Sequence, residues 1–176
     1  MNIRHLLFAS VFALSACSAP PPPPMQQPSP PPKPVVVAPP PVQRPSAEWT
    51  DWSLATGDWV YRRDERGSIA LFGPAGQNAT VTLRCDTTRR RVYLAREGAG
   101  TGGRMVVRTS SALKEFAASP TGGTPAYRAV EILPTDPILD AMALSRGRVA
   151  IESDGQTPLA IPSWAEITRI VEDCRS

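Results

Sequence analysis

Histidine and lysine are scarce in this chain of 176 residues. The one histidine is His5, in a leading segment that we expect to be removed, and the lysines are Lys33 and Lys114. A mature protein without histidine excludes Ser-His-Asp and Cys-His catalysis, histidine metal sites and proton transfer by imidazole. Catalysis would need paired carboxylates or an activated serine or lysine. We therefore expect a protein that is not an enzyme and holds no cofactor and no metal.

The apolar run at the amino terminus is short. Residues 6–14 span about nine positions, against about twenty for a transmembrane helix, and Arg4 precedes them. A basic start, a short apolar run and small residues predict a signal peptide over residues 1–16. The end of this segment, Leu14-Ser-Ala-Cys17, resembles the lipobox of bacterial lipoproteins. The resemblance implies that Cys17 becomes the lipidated first residue and anchors the protein to a membrane. A secretory signal with an incidental cysteine is the alternative.

Cysteine is also rare, with three in the chain. Once Cys17 is lipidated, Cys85 and Cys174 are too few for a zinc site made of cysteines alone. The alternation of residues 79–86 turns Cys85 toward the core, and the helical spacing of the last stretch turns Cys174 inward as well. Two core-facing cysteines in an oxidising envelope compartment are most simply a Cys85–Cys174 disulfide.

Proline, in contrast, is abundant, and most of the 21 prolines lie in residues 20–45. Such a segment forms no core and favours an extended polyproline II rod, on the order of 80 Å long. We interpret residues 17–47 as the lipidated cysteine and a proline-rich linker, and residues 48–176 as a single globular domain. A ligand for a proline-binding groove is the alternative for the linker.

Strand patterns dominate the predicted domain. About eight short strands and two helices favour an α+β fold that is mainly antiparallel β, a small sandwich or barrel. Residues 91–95 and 104–109 are predicted to pair across a glycine-rich loop at 98–103. The predicted strands cover residues 58–63, 68–72, 79–86, 91–95, 104–109, 127–133, 148–152 and 157–161.

Two helices are predicted from their ends. Asp136 is placed to cap the first, Pro137 suits its first position, and Gly147 is placed to end it. Ser163 and Glu166 have the spacing of a capping box, in which each side chain bonds the other residue's backbone N–H. The second helix should begin there.

Three sequence matches to catalytic motifs are better explained by structure or, for SxxK, by chance. The segment 98–103 fits GxGxxG, but a strand pattern follows it where a phosphate site needs a helix. Ser111 and Lys114 fit SxxK, but the companion motifs of penicillin-binding proteins are missing. Asp136 and Asp140 could pair as carboxylates for acid–base work, yet both suit the first turn of a helix.

Two groups of side chains are candidate contact surfaces. Arginine forks recognise phosphate and carboxylate, and tryptophan rings stack on sugars or protein partners. The bland alternatives are a solvated turn for the arginines and a plug at the open end of a β core for the tryptophans. The arginines are Arg89, Arg90, Arg91, Arg146 and Arg148, and the tryptophans are Trp49 and Trp52.

The carboxyl-terminal part carries a second resemblance. The stretches Arg146-Gly-Arg148 and Pro162-Ser-Trp-Ala-Glu166, together with the lipobox and linker, resemble proline-rich envelope lipoproteins of alphaproteobacteria. The resemblance implies a location in the cell envelope. Ser18, directly after the lipidated cysteine, resembles the sorting signal of outer-membrane lipoproteins, which would place the domain on the periplasmic side. The order of paired strands and a closing helix is weakly similar to accessory proteins of type VI secretion.

Our functional hypothesis is a lipid-anchored envelope protein whose domain binds an envelope protein or wall polymer. We expect it to bind no nucleic acid. The alternatives are a histidine-free periplasmic hydrolase, an enzyme inhibitor or a secretion-system accessory protein. The sequence leaves the oligomeric state open.

Overall fold

The computed structural model describes residues 48–176. The predicted signal peptide, the lipidation of Cys17 and the proline-rich linker lie outside these residues. Neither α-helix among the described residues combines the length and apolar character needed to cross a membrane.

Nine strands and two α-helices build the described part of the chain, which confirms the predicted mainly antiparallel β fold with two short helices. A 3-10 helix, Trp49–Asp51, precedes them. The strands are β1 (Asp58–Asp64), β2 (Gly67–Gly73), β3 (Val81–Asp86), β4 (Arg91–Glu97), β5 (Gly103–Arg108), β6 (Leu113–Pro120), β7 (Tyr127–Ile132), β8 (Val149–Ser153) and β9 (Leu159–Ile161). The helices are α1 (Pro137–Ala143), between β7 and β8, and α2 (Ala165–Arg175), after β9.

The nine strands form one sheet that curves into a half-barrel, in the order β1-β2-β3-β4-β7-β6-β5-β8-β9. Every neighbouring pair is antiparallel. The weakest junction is between β6 and β7, which pair only through Ser119 and Pro120 on β6. The sheet therefore consists of a β1–β4 meander extended by β7, joined there to a second group of four strands.

The chain just before β1 contacts β9, the last strand in the sheet, at a seam. The Ala55 backbone N–H donates to the Ala160 carbonyl at 2.8 Å, and Leu54 bridges to Ala160 in parallel. On β1, Trp59 Nε1 donates to the Pro162 carbonyl at 2.9 Å. These contacts fasten the start of the described chain to the β9 end of the sheet and help to enclose the interior.

The predicted pairing of residues 91–95 with 104–109 is wrong. Strand β4 lies between β3 and β7, and β5 lies between β6 and β8. Strand β6, which the sequence analysis did not predict, takes the expected place of β4 beside β5. The turn at Thr109, whose N–H donates to the Ala112 carbonyl at 2.9 Å, is shorter than the glycine-rich loop and folds β6 back onto β5.

The core lies inside the half-barrel and under α2. Alternation along the strands turns large apolar side chains inward, and Leu83, Leu94 and Ile151 are fully buried. Helix α2 buries Ile167 and Ile170 and packs on β2 and β3, while α1 packs against α2. Burying a side chain of this size stabilises the fold by about 1.5–3 kcal/mol.

A disulfide between Cys85 on β3 and Cys174 on α2 is present, as predicted. The Cα atoms are 5.3 Å apart and the two residues are separated by 89 positions. Both are buried. The closure of so long a loop stabilises a fold by about 4–5 kcal/mol in the chain-entropy account, so α2 is covalently held on the sheet.

The helix ends agree only in part with the sequence patterns. Asp136 caps α1 as predicted, and its side chain accepts from the Ile138 N–H at 3.1 Å. The helix ends at Ala143, four residues before Gly147. The predicted capping box of α2 is wrong, because Trp164 is the N-cap and makes no side-chain cap.

Ser163 bonds elsewhere. Its hydroxyl donates to the Met142 carbonyl at 2.7 Å. The last carbonyls of a helix have no partner within that helix, so Ser163 satisfies the end of α1 and not the start of α2. A long-range contact has displaced the local one.

Candidate functional site

The two tryptophans proposed as a contact surface lie against the outer side of the last strands. Trp52 is buried, 9% exposed, and packs with Ala150 and Ala160, while Trp49 is half-buried against the same cluster. The Trp52 ring therefore offers no free stacking face. The two tryptophans thus have a packing role here, on the outer face of the last strands.

The five arginines proposed as a surface occupy two separate places. Arg89 and Arg90 lie in the turn between β3 and β4, and Arg91 begins β4, where its Nε donates to Glu131 Oε1 at 2.7 Å. Arg89 lines an open groove of about 540 Å³ on the sheet, together with Arg84 and Tyr93. This turn remains available for contact.

Arg146 and Arg148 lie just before β8, which begins at Val149. The Arg146 N–H donates to Ser110 Oγ at 3.1 Å, and its side chain is exposed. Arg148 Nη1 donates to the Trp52 carbonyl at 2.6 Å. Arg148 thus ties the entering chain to β8, which is a structural role.

The side chains that could have carried catalysis are held in ion pairs. Lys114 contacts the Asp136 carboxylate, which also caps α1. Asp140 receives two hydrogen bonds from Arg175, at 2.6 and 3.0 Å. Asp136 and Asp140 therefore belong to different structural contacts and form no carboxylate pair. Among residues 48–176 no group of three or more potential metal ligands lies close together.

A different pair of residues, not singled out from the sequence, has the chemistry of a binding site. Arg96 on β4 and Arg128 on β7 are direct partners in the register of these neighbouring strands. Both are buried, 6% and 3% exposed. Leu94 lies two residues from Arg96 on β4, and Val130 lies two residues from Arg128 on β7, so each arginine shares the inward face of its strand with an apolar residue. The two arginines therefore lie side by side within the half-barrel.

These guanidinium groups reach across the interior to the β8–β9 hairpin. Arg96 Nη1 donates to the Ile151 carbonyl at 3.1 Å, and its Nη2 donates to the Thr157 carbonyl. Arg128 Nη1 donates to the Asp154 carbonyl at 2.8 Å. Each guanidinium carries five N–H donors, so these bonds use only part of their capacity.

Carboxylates do not neutralise this pair. The ion pairs found among residues 48–176 include neither Arg96 nor Arg128. Asp154, whose carbonyl binds Arg128, uses its carboxylate for the Arg104 N–H at 2.8 Å. Glu97, next to Arg96, accepts from Asn78 at 3.3 Å. Both neighbouring acids are thus engaged elsewhere.

The electrostatic cost of the arrangement is visible at Arg96. Burial, followed by the positive charge of Arg128, lowers the pKa of Arg96 to about 10. The group remains protonated at neutral pH. Burying a charge without a partner costs several kcal/mol, and an anion between the two groups would offset that cost.

Three buried polar atoms near this pair have no hydrogen-bond partner among the described residues. They are Arg128 Nε, Ser153 Oγ and Gln156 Oε1. Ser153 directly precedes the Asp154 carbonyl that Arg128 binds, and Gln156 belongs to the same hairpin. Buried polar groups are nearly always paired, so these three atoms leave hydrogen-bonding capacity unused inside the fold.

The glycine-rich segment 98–103 passes over Arg128. A Cβ added at Gly100 would lie 3.7 Å from Arg128 Cδ, and one added at Gly103 would lie 3.7 Å from Arg128 Nη1. Both glycines have positive φ angles, 143° and 138°. Both distances are ordinary van der Waals contacts, so the backbone of this segment packs closely over the Arg128 side chain.

The sequence did contain a signal for this site. Val92, Leu94 and Arg96 share one face of β4, and Arg128, Val130 and Ile132 share one face of β7. An arginine in a row of otherwise apolar, inward-facing residues is unusual, and it indicates a candidate functional position. Their adjacency was hidden because β4 was expected to pair with β5.

Comparisons with known proteins add no name to these observations. No protein family matches this chain, and no curated protein and no solved structure matches it significantly. We therefore infer the function from the sequence and from the geometry of residues 48–176.

Proposed function

We propose that the chain is a lipid-anchored protein of the cell envelope whose domain binds an envelope protein or a wall polymer and performs no chemistry. The amino-terminal sequence supports the location, because a basic start, a short apolar run and Leu14-Ser-Ala-Cys17 stand in the order that lipoprotein processing requires. The proline-rich segment 20–45 supports a spacer that carries the domain away from the membrane.

The observation that carries the binding role is the contrast between two kinds of polar side chain. Lys114, Asp136 and Asp140, which could have taken part in catalysis, are used in contacts that hold the helices. Arg96 and Arg128 are buried beside each other without a carboxylate and with unused donors. The first set builds the fold, and the second is suited to hold a ligand.

A tether serves such a module by raising its effective concentration near a partner without adding contacts. We therefore expect both anchor and spacer to be needed for binding in cells. A photo-crosslinking residue placed at exposed Thr101, beside the arginine pair, should give a discrete crosslinked product in cells that carry the full chain. Removing residues 20–45 or replacing Cys17→Ser should weaken it.

The matched control places the same crosslinker at exposed Glu172 on α2, where we expect no product of the same mass. Mass spectrometry of the wild type should find acyl groups on Cys17, and Cys17→Ser should be unprocessed or soluble. The proposal fails if no discrete product forms at Thr101, or if the product is unchanged in both variants. Turnover by the purified protein that is lost in Asp136→Asn or Asp140→Asn would favour the enzyme.

A further inference from the structure

We propose that Arg96 and Arg128 form a binding site for an oxyanion, the carboxylate or phosphate group of an envelope molecule. This inference rests on the proposed function as a binding module and names the chemistry of its ligand. The site lies inside the half-barrel, between β4, β7 and the β8–β9 hairpin, under the segment 98–103.

The charge of the site selects its ligand. Two guanidinium groups on adjacent strands repel each other, and the carbonyl oxygens that they bind carry only partial charges. An oxyanion supplies a full negative charge, and its paired oxygens match the fork of N–H donors on a guanidinium. A neutral ligand would leave the repulsion between Arg96 and Arg128 in place.

The unused donors select the same class. Arg128 Nε is buried and has no partner among the described residues, and the Ser153 hydroxyl is in the same state. Both can donate to an oxygen of an anion. Gln156 Oε1 is an amide oxygen and only accepts, while its Nε2 donates to the Glu97 carbonyl at 2.8 Å. A protonated oxygen or a water bound with the anion would satisfy Oε1.

The segment 98–103 provides the route of entry. Its backbone lies over Arg128, and several of its glycines have positive φ angles, which glycine adopts at no steric cost. Because Arg96 and Arg128 are 6% and 3% exposed, a ligand reaches them only if this segment is displaced. The ligand group must therefore be small or terminal.

The experiment follows the arginine side chains directly. The ¹⁵N-labelled full chain, in a zwitterionic detergent, is titrated with sodium succinate, with sodium phosphate and with sodium chloride at equal ionic strength. The Nε–Hε resonance of Arg128, assigned with Arg128→Lys, should shift and saturate with at least one oxyanion and not with chloride. Succinate alone indicates a carboxylate ligand, phosphate alone a phosphate ligand, and both the shared chemistry.

Two variants separate the site from general anion effects. Arg128→Gln should weaken oxyanion binding at least about tenfold, as expected when a charge-assisted pair is lost, while Arg62→Gln, at an exposed arginine on β1, should bind like the wild type. If Arg128→Gln does not fold, the wild-type titration alone tests whether an oxyanion binds at Arg128. Shifts that coincide with those of chloride, or that occur only at exposed arginines, overturn the proposal. A crosslink at Thr101 without a shift of the Arg128 resonance would support the binding function and contradict the oxyanion site.

Discussion

The two ends of the half-barrel treat their arginines differently. At the end that contains the β1–β2 turn and Cys85, Arg84 pairs with Asp64 at 2.7 Å and Arg66 pairs with Asp86 at 3.0 Å. At the other end, Arg96 and Arg128 are more deeply buried and bind only carbonyl oxygens. The first kind stabilises the fold, by up to about 1 kcal/mol where such a pair is exposed to solvent. The second kind costs stability.

The inner rows of β4 and β7 show the same contrast within single strands. The residues Val92 and Ile132 lie toward the disulfide end and are buried in apolar surroundings. Two steps along each strand, beyond Leu94 and Val130, the row continues with the two guanidinium groups. One end of this interior is thus built for stability, and at the other end two buried charges lower the stability.

The largest effect is expected at the stabilised end. Replacing both Cys85→Ala and Cys174→Ala should lower the free energy of unfolding by about 4–5 kcal/mol, because the unfolded chain regains the freedom of a long loop. Urea unfolding of the full chain measures the difference. Reduction of the wild type should reproduce it. Equal stability of oxidised and reduced protein would show that α2 is held without the disulfide.

A smaller effect of opposite sign is expected at the arginine end. Arg128→Met should raise the free energy of unfolding by about 1 kcal/mol, because it removes a buried charge, its repulsion with Arg96 and an unpaired donor. The matched control, Leu94→Ala in the apolar part of the same row, should lower it by about 2–5 kcal/mol. A loss at Arg128→Met as large as that at Leu94→Ala would make Arg128 a structural residue.

The smallest effect concerns the paired arginine Arg84. Its hydrogen bonds lower the pKa of Asp64 from 3.8 to about 2. A folded-state pKa below the unfolded value means that the pair contributes stability above about pH 4 and loses it as the pH falls toward 2. Asp64→Asn should therefore lower the unfolding temperature at pH 6, and the difference should vanish near pH 2.

Exposed Glu65→Gln is the control for Asp64→Asn, since it removes a neighbouring charge and makes no such pair. An Asp64→Asn difference that is as large at pH 2 as at pH 6 would contradict the ionic origin of the contribution.

Local patterns predicted the parts of this fold that depend on near neighbours in the chain. The alternation around Cys85 and the helical spacing before Cys174 both gave the correct inward direction, and their pairing followed. Asp136 and Pro137 began α1 as their chemistry requires. In each case the deciding contacts lie within one strand or one turn of helix.

The parts that the sequence did not predict depend on distant residues. Ser163 had the right spacing for a cap but bonds the Met142 carbonyl, which only the packing of α1 near β9 brings within reach. Strand β6, rich in alanine and with Lys114 and Glu115, has a weak strand pattern and is held by β5 and β7. Without β6 in place, Arg96 and Arg128 could not be identified as neighbours.

The disulfide also determines how the domain would respond to force. A pull on residue 48 meets the seam first, where Ala55 is bonded to Ala160 and Arg148 to Trp52. If the seam opens and β1 to β3 peel away, the extension stops at Cys85, because the chain between it and Cys174 is bypassed by the disulfide. A separation of 89 residues would otherwise add about 300 Å of length. When the opposing pull is at the carboxyl terminus, strands β4 to β9, with the arginine pair inside them, would then carry no load.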